Sequence, residues 1–354
     1  PEDGDISIVS PRPYMTDEPD PVWSSAYIFI NWQYYLHYGD SRFLEKHFPS
    51  MCRYVDFLTT QAPDHLLPKY WIGDWGTIVQ GWQEGDPPLT PTAFYYQNAM
   101  LVAKAATVLH RSAEAERYAA LAVKIKQALN NTFFDKQKLQ YDQASQFSNA
   151  LPLCFGLVSE EDAQGVLQNI LTDLDQHQGH FTVGVLGAKY LIDALTANGR
   201  SDRAWALVNQ TGFPSWSHLI KGRTTLSEFW NLKGSHNHVM MGSIDAWFYN
   251  TLAGIRPDET RPGFKHIIIQ PYVPPSLQQV KSTVQTLYGP VLMQWQKEQD
   301  RLKVQLELPA GTTAELILPG APSARSKGGV RLEQDRSVFQ LESGSHLLYT
   351  RLIP

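Results

Sequence analysis

The sequence changes its period at Arg256-Pro257, and that change limits the fold more than any other feature. Before it, apolar residues recur at helical spacing in stretches divided by Gly, Ser and Asp. After it they alternate with polar residues in short runs. Examples are Phe264-Lys-His-Ile-Ile-Ile-Gln, Val291-Leu-Met-Gln-Trp-Gln, Leu302-Lys-Val-Gln-Leu-Glu-Leu, Ala314-Glu-Leu-Ile-Leu, Ser337-Val-Phe-Gln-Leu and His346-Leu-Leu-Tyr-Thr. Turns at Gly311-Thr312, Gly328-Gly329 and Ser343-Gly344 divide them. The first region predicts helices and the second a small antiparallel β-sandwich. Trp295, on an inward strand position, is expected to be structural.

The predicted helices come in antiparallel pairs joined by short turns: 26–36 with 41–58, 92–110 with 112–134, 144–157 with 160–175 and 183–198 with 201–210. A last helix is expected over 238–255. No fixed repeat length appears, which argues against a solenoid. Paired helices with longer aromatic loops at one end fit an (α/α)6-type barrel of helical hairpins better than a bundle. About nine or ten helices are expected from this pattern, fewer than six closed hairpins need, so the missing ones are expected before residue 1. The division is then an extended, Pro-rich lead-in over 1–22, a barrel over 23–258 and a sandwich over 259–354. At 354 residues the chain is long enough for one large and one small domain.

The formal net charge is −5, with no run of Lys or Arg, so no nucleic-acid surface is indicated. No apolar run approaches a membrane span, so no membrane insertion is expected. Cys52 and Cys154 both lie in apolar helical stretches and read as free, buried thiols. Neither Cys-x-x-Cys nor His-Glu-x-x-His occurs, so neither a metal nor another cofactor is implied. Ten Trp are present, and the 61–90 connection holds Trp71, Trp75 and Trp82. A connection that long inside a compact domain is usually functional.

Arg223-Thr-Thr-Leu-Ser-Glu228-Phe-Trp230, followed by Ser235-His236-Asn237-His238, is the chemically distinctive stretch. A carboxylate among aromatic rings with imidazoles nearby suits a sugar: rings stack on its apolar face, while Glu and His handle hydroxyls and protons. The plain alternative is a surface Glu that caps the next segment beside a His pair that only packs.

Several of these motifs, in order, resemble the catalytic region of bacterial α-L-rhamnosidases of glycoside hydrolase family 78. Trp23-Ser-Ser-Ala resembles that family's Trp-Gly-Asp-Ala, and Arg42-Phe-Leu-Glu-Lys-His-Phe-Pro the hairpin after it. Gly73-Asp74-Trp75 is similar to its Gly-Asp-Trp loop, Phe181-Thr-Val-Gly-Val-Leu-Gly to its His-Leu-Thr-Thr-Gly-Phe-Leu-Gly, and Phe213-Pro-Ser-Trp216 to its Tyr-Pro-Ser-Trp. Glu228-Phe-Trp230 resembles its Trp-Glu-Arg-Trp, and Asn237-His238 its Asn-His. Gly254-Ile-Arg-Pro-Asp and Pro262-Gly-Phe-Lys-His are similar to its exit into the sandwich. The resemblance implies an (α/α)6 barrel followed by a β-sandwich, and inverting hydrolysis of terminal α-L-rhamnose from a glycoside or polysaccharide. It implies Glu228 as general base, His238 as a hydrogen-bonding partner of the sugar, and Trp23 and Trp75 as an aromatic wall. Asp74 would orient its loop or touch a hydroxyl, and Trp216 would be a further pocket residue.

Two departures follow from the same comparison. The family's general acid lies in an acidic motif ahead of the Trp23 region, and residues 1–22 contain nothing like it. Inversion needs two carboxyls about 6.5–9.5 Å apart, so the acid is expected upstream of this chain, with further domains of the same protein. Ser25 and Ser227 also stand where the family has Asp and Trp. Two rival readings stay open at this point. One is a polysaccharide lyase on rhamnose-linked uronates, with Arg223 and His236 neutralising the uronate. The other is a sugar-binding relic without catalysis.

Overall fold

The computed structural model describes residues 3–8, 20–68, 73–78, 88–322, 330–333 and 336–352. Trp71, Trp82, most of the Pro-rich lead-in and the Gly328-Gly329 turn lie outside the described residues. The chain divides into two compact units, one of residues 1–32 and 44–243, the other of 33–43 and 244–354.

The helices of the first part run α1 (Pro21–Ser24), α2 (Ala26–Tyr38), α3 (Ser41–Gln61), α4 (Leu89–Val108) and α5 (Ser112–Phe133). A two-stranded hairpin, β1 (Phe134–Asp135) and β2 (Gln140–Tyr141), leads into α6 (Gln146–Cys154), α7 (Glu160–Gln176), α8 (Val185–Ala197), α9 (Ser201–Val208) and α10 (Trp216–Ile220). Within the α4–α5, α6–α7 and α8–α9 hairpins the two helices differ in kind. α4 buries residues on every side, including Thr92, Ala99 and Asn98 at 0% exposure, and α6 and α8 are also buried almost all round. By contrast, α5, the partner of α4, buries one stripe, Tyr118, Ala122, Ile125 and Leu129, and α3 does the same with Leu44, Phe48, Met51, Val55 and Leu58. A helix apolar all round belongs inside, and one with a single stripe belongs outside. The packing agrees, since α4 meets α6 and α6 meets α8, while α5 and α7 pack on their own hairpin partners. Two layers of paired helices result.

The expected helix over 238–255 is broken. It becomes a 3₁₀ turn at Val239–Ser243, α11 (Ile244–Trp247) and a π-helical turn at Phe248–Leu252. Gly242 and Ser243 are poor helix formers, and they stand where the continuous helix fails.

The second unit carries β3 (Ile255–Pro257), β4 (His266–Ile269), β5 (Gln279–Thr286), β6 (Gly289–Glu298), β7 (Arg301–Pro319), β8 (Ala321–Pro322), β9 (Val330–Glu333) and β10 (Arg336–Arg351). The sheet order is β3-β4-β7-β10-β8, with β6 also on β7, β5 on β6 and β9 on β10. Residues 302–308 and 314–318, read in the sequence as two strands, belong to the single 19-residue β7. The same holds for 337–341 and 346–350 in β10. The chain bends at Gly311 and Gly344, both at positive φ, instead of reversing there. The inward residues of β10 change from odd (Phe339, Leu341) to even (Leu348, Thr350), and the register shift between Glu342, opposite Thr313, and Gly344, opposite Leu308, is an odd number of residues, as this change requires. The two long strands thus carry the sandwich around one core, with Trp295 at 0% exposure and its indole N–H donated to the Leu252 carbonyl (2.8 Å). Cys52 and Cys154 are free.

Candidate active site

Glu228 sits on a loop that closes on itself. The Glu228 amide donates to the Ser235 carbonyl (2.8 Å) and the His238 amide to the Leu226 carbonyl (3.0 Å), while Thr225 Oγ1 donates to the His236 carbonyl. An apolar anchor fixes it from below. Trp230 is 1% exposed, donates its indole N–H to the Val183 carbonyl (2.8 Å) and stacks on Phe181 with ring centres 5.2 Å apart. A buried Trp whose N–H is also satisfied holds a loop better than packing alone. The loop turns at Gly234, φ +75°, where a Cβ would stand 2.6 Å from Glu228 Oε2 and 2.7 Å from the Phe229 ring. Only glycine lets this turn close against the carboxylate.

Both carboxylate oxygens of Glu228 are engaged by neutral donors. Trp75 Nε1 donates to Oε1 and the Ser235 amide to Oε2, each at 2.9 Å. His238 Nδ1 stands 4.0 Å from Oε2, and both side chains are about one-fifth exposed, at 22% for His238 and 19% for Glu228. His238 Nε2 is buried and has no hydrogen-bond partner among the described residues. The Trp75 ring is tilted against Phe229 at 6.0 Å between centres. Carboxylate, indole and imidazole therefore meet in one place, although Trp75 and Glu228 are far apart in sequence.

The Trp75 loop is set by Asp74. Its Oδ2 accepts from the Gly184 amide and its Oδ1 from the Gly187 amide, both at 2.8 Å, so it caps α8 from a distant loop. Gly184 at the N-cap of α8 has no side chain to do this. The Trp75 carbonyl accepts from the Val185 amide (2.9 Å), and a Cβ on Gly184 would meet that carbonyl oxygen at 2.1 Å. The Gly73-Asp74-Trp75 and Val183-Gly184-Val185 segments thus fit each other by backbone.

Of the other residues singled out in the sequence, Trp216 is 7% exposed, donates to the Met241 carbonyl (2.8 Å) and packs edge-on against Trp230 and Phe181, behind the anchor. Trp23 lies within α1, its amide donating to the N-cap Asp20 Oδ1 at 3.1 Å. Its buried indole N–H has no partner, and no hydrogen bond or ring contact joins it to Glu228, Trp75 or His238 among the described residues. Ser25 is 1% exposed and accepts from Asn98 Nδ2 at 2.7 Å. Sequence reasoning passed over the Ser235 amide, the room that Gly234 leaves and the Phe181–Trp230 stack. The Lys233-Gly234-Ser235 turn was the visible signal for the first two. Among the described residues no group of three or more His, Cys, Asp and Glu is placed to hold a metal ion.

The chain is thus a two-layered set of paired helices followed by a sheet unit, with a carboxylate framed by indole and imidazole on one loop of the helical part. The family model for the bacterial alpha-L-rhamnosidase 6 hairpin glycosidase domain matches residues 1–252, and that for the bacterial alpha-L-rhamnosidase C-terminal domain matches 254–333. The chain belongs to the bacterial α-L-rhamnosidase family. An alpha-L-rhamnosidase of Formosa agariphila is 30% identical over 334 residues, which is 90% of this chain and 36% of that protein. One of Streptomyces avermitilis is 28% identical over 97% of this chain and 34% of its own length. The solved structure of alpha-L-rhamnosidase from Dictyoglumus thermophilum is similar with a TM-score of 0.92 at 33% identity, covering 99% of this chain and 42% of that one. The Streptomyces avermitilis enzyme complexed with L-rhamnose gives 0.91 at 27%, covering 99% and 35%. The chain spans about a third to two-fifths of the length of these relatives.

Proposed function

We propose that the protein containing this chain removes terminal α-L-rhamnose from glycosides or polysaccharides with inversion, Glu228 acting as general base. The observation that carries this reading is the setting of Glu228, with one oxygen on the Trp75 indole, the other on the Ser235 amide, and His238 alongside. A carboxylate held this way keeps one oriented lone pair per oxygen for a water. It takes a proton from that water as the water attacks the anomeric carbon, on the face opposite the departing glycosidic oxygen. The bond to the leaving oxygen breaks as that oxygen receives a proton from a second carboxyl. We assign that carboxyl to a part of the full-length protein outside this chain, which spans about a third of the length of these curated relatives.

Trp75 then has two roles, a face for the sugar and a donor that fixes the base. Trp23 supplies a second face. His238 Nε2, buried without a partner among the described residues, bonds a sugar hydroxyl. Asp74 orients the Trp75 loop, and Trp216 braces Trp230 from behind. Arg223, the cation a lyase would direct at a uronate, donates instead to the fully buried Ser227 hydroxyl (3.1 Å), which favours hydrolysis.

The test is proton NMR of the full-length protein acting on an aryl α-L-rhamnoside. Rhamnose appearing first as the β-anomer supports the reading. An α-first product, or an unsaturated product absorbing in the near ultraviolet, contradicts it.

A further inference from the structure

The segment from His180 to Gly187 carries both halves of the site. The Thr182 carbonyl accepts from the Ile78 amide (3.2 Å), the Val183 carbonyl from the Trp230 indole (2.8 Å), and the Val185 amide donates to the Trp75 carbonyl (2.9 Å). The Gly184 and Gly187 amides donate to the two carboxylate oxygens of Asp74, each at 2.8 Å. The Trp75 loop is therefore held to this segment at Asp74, Trp75 and Ile78. The Glu228 loop is held to it through Trp230, two residues on from the carboxylate. Trp75 Nε1 then meets Glu228 Oε1 at 2.9 Å, so the spacing of indole and carboxylate depends on where this segment lies.

Gln146 fixes the start of the segment from behind. It is the first residue of α6 and is 0% exposed. Its amide group donates to Asp173 Oδ1 on α7 (2.8 Å) and to the His180 carbonyl (3.1 Å), while its Oε1 accepts from the Thr182 amide (3.0 Å). A primary amide is costly to bury unless its donors and its acceptor are engaged, and here they are. Donors on one side and an acceptor on the other also set which way the amide faces, so no apolar side chain of the same size can replace it. Residues 180–184 belong to no helix or strand. Their place is set by these bonds and by Phe181, which stacks on Trp230 and meets Trp216 edge-on, both with ring centres 5.2 Å apart.

We propose that Gln146 is a positioning residue for the hydrolysis, acting through the 180–187 segment to set the Trp75 indole against the Glu228 carboxylate. Its own bonds end on Asp173, His180 and Thr182, so its effect on the base passes wholly through that segment. The inference rests on the glycosidase reading of the Glu228 site.

The experiment uses the full-length protein carrying Gln146→Met, which keeps the side chain's length and removes all three bonds. Gln146→Asn, polar but one methylene short, takes its place if the Met variant does not fold. On an aryl α-L-rhamnoside kcat is expected to fall about 5- to 30-fold, with KM changed by less than about threefold. Combined with Trp75→Phe, the loss should fall at least about threefold short of the product of the two single losses, because both changes act on one indole–carboxylate contact. An unchanged kcat, a loss carried by KM, or losses that simply multiply overturn the proposal. If the wild type releases no rhamnose, the glycosidase reading has failed, and the positioning of the two loops is read from amide hydrogen exchange. Faster exchange in the variant at Ile78, Ser235 and His238, with α5 unchanged, then supports it. Faster exchange confined to 146–182, without Ile78, Ser235 and His238, overturns it.

Discussion

Replacing Trp75 by Phe keeps an aromatic face beside Phe229 and removes the N–H that donates to Glu228 Oε1 at 2.9 Å. The backbone contacts of the loop, from the Val185 amide to the Trp75 carbonyl and from Gly184 and Gly187 to Asp74, do not depend on the indole. The loop should therefore stay in place while one of two restraints on the carboxylate is lost. A hydrogen bond to a carboxylate in such a half-buried setting is worth about 1.5–3 kcal/mol. If most of that acts on the base in the transition state, kcat falls about 10- to 100-fold at about 1.4 kcal/mol per decade. KM for an aryl α-L-rhamnoside should change by less than about threefold, because the stacking face remains. Steady-state kinetics of the full-length variant, beside its thermal midpoint, separates the terms. A kcat within twofold of wild type with a large rise in KM would refute the positioning role and leave Trp75 as a sugar face only.

Asp74→Ala removes both caps on α8 and should destabilise the protein by about 1–2 kcal/mol, read as a lower thermal midpoint; an unchanged midpoint contradicts the capping role. Gly234→Ala places a Cβ 2.6 Å from Glu228 Oε2 at φ +75°. Its kcat should drop by at least about tenfold, since misplacing a catalytic group by about 1 Å costs up to 100-fold; full activity would show that the turn tolerates the crowding. His266 is buried, bonded through Nδ1 to Thr313 Oγ1 (2.6 Å), and its pKa is lowered first by that burial and then by Arg261. The unfolded chain therefore takes up the proton at a higher pH than the folded one, so stability from this group is full above about pH 6.5 and declines as pH falls below it. Urea unfolding at pH 7.5 and pH 5.5 should show a smaller difference for His266→Gln than for wild type; an equal difference removes His266 as a contributor.

The hairpins were legible because each helix advertises its layer. α4 is apolar all round and α5 carries one stripe, and that contrast survives in the sequence. The strands were legible as alternation but not as lengths. Gly311 and Ser343-Gly344 look like turns, and only pairing across β7 and β10 makes them bends in continuous strands. The last helix was misread for a related reason, since apolar spacing around Gly242 does not show where backbone pairing changes to 3₁₀ and π turns. In the site, Glu228, Trp75 and His238 stood out by residue type and motif. Asp74 was read as orienting its loop or touching a hydroxyl, but its cap on α8 was not legible, because a cap from a distant loop is a tertiary contact with no local sign. The Ser235 amide is a backbone group, and residue type carries no information about it. Trp216 and Trp230 show the limit of reading Trp as a sugar platform: both N–H groups end on core carbonyls.

The most direct test of the account is Glu228→Gln in the full-length protein, measured as kcat on an aryl α-L-rhamnoside together with rhamnose binding by calorimetry. Gln keeps the shape and an oxygen for the Trp75 indole but cannot accept the proton of the attacking water. The account predicts a fall in kcat of about 10²- to 10⁴-fold, with rhamnose affinity within a few-fold of wild type. A kcat within a few-fold of wild type would contradict it, and Glu228 would then be no more than a loop carboxylate bonded to Trp75 and Ser235.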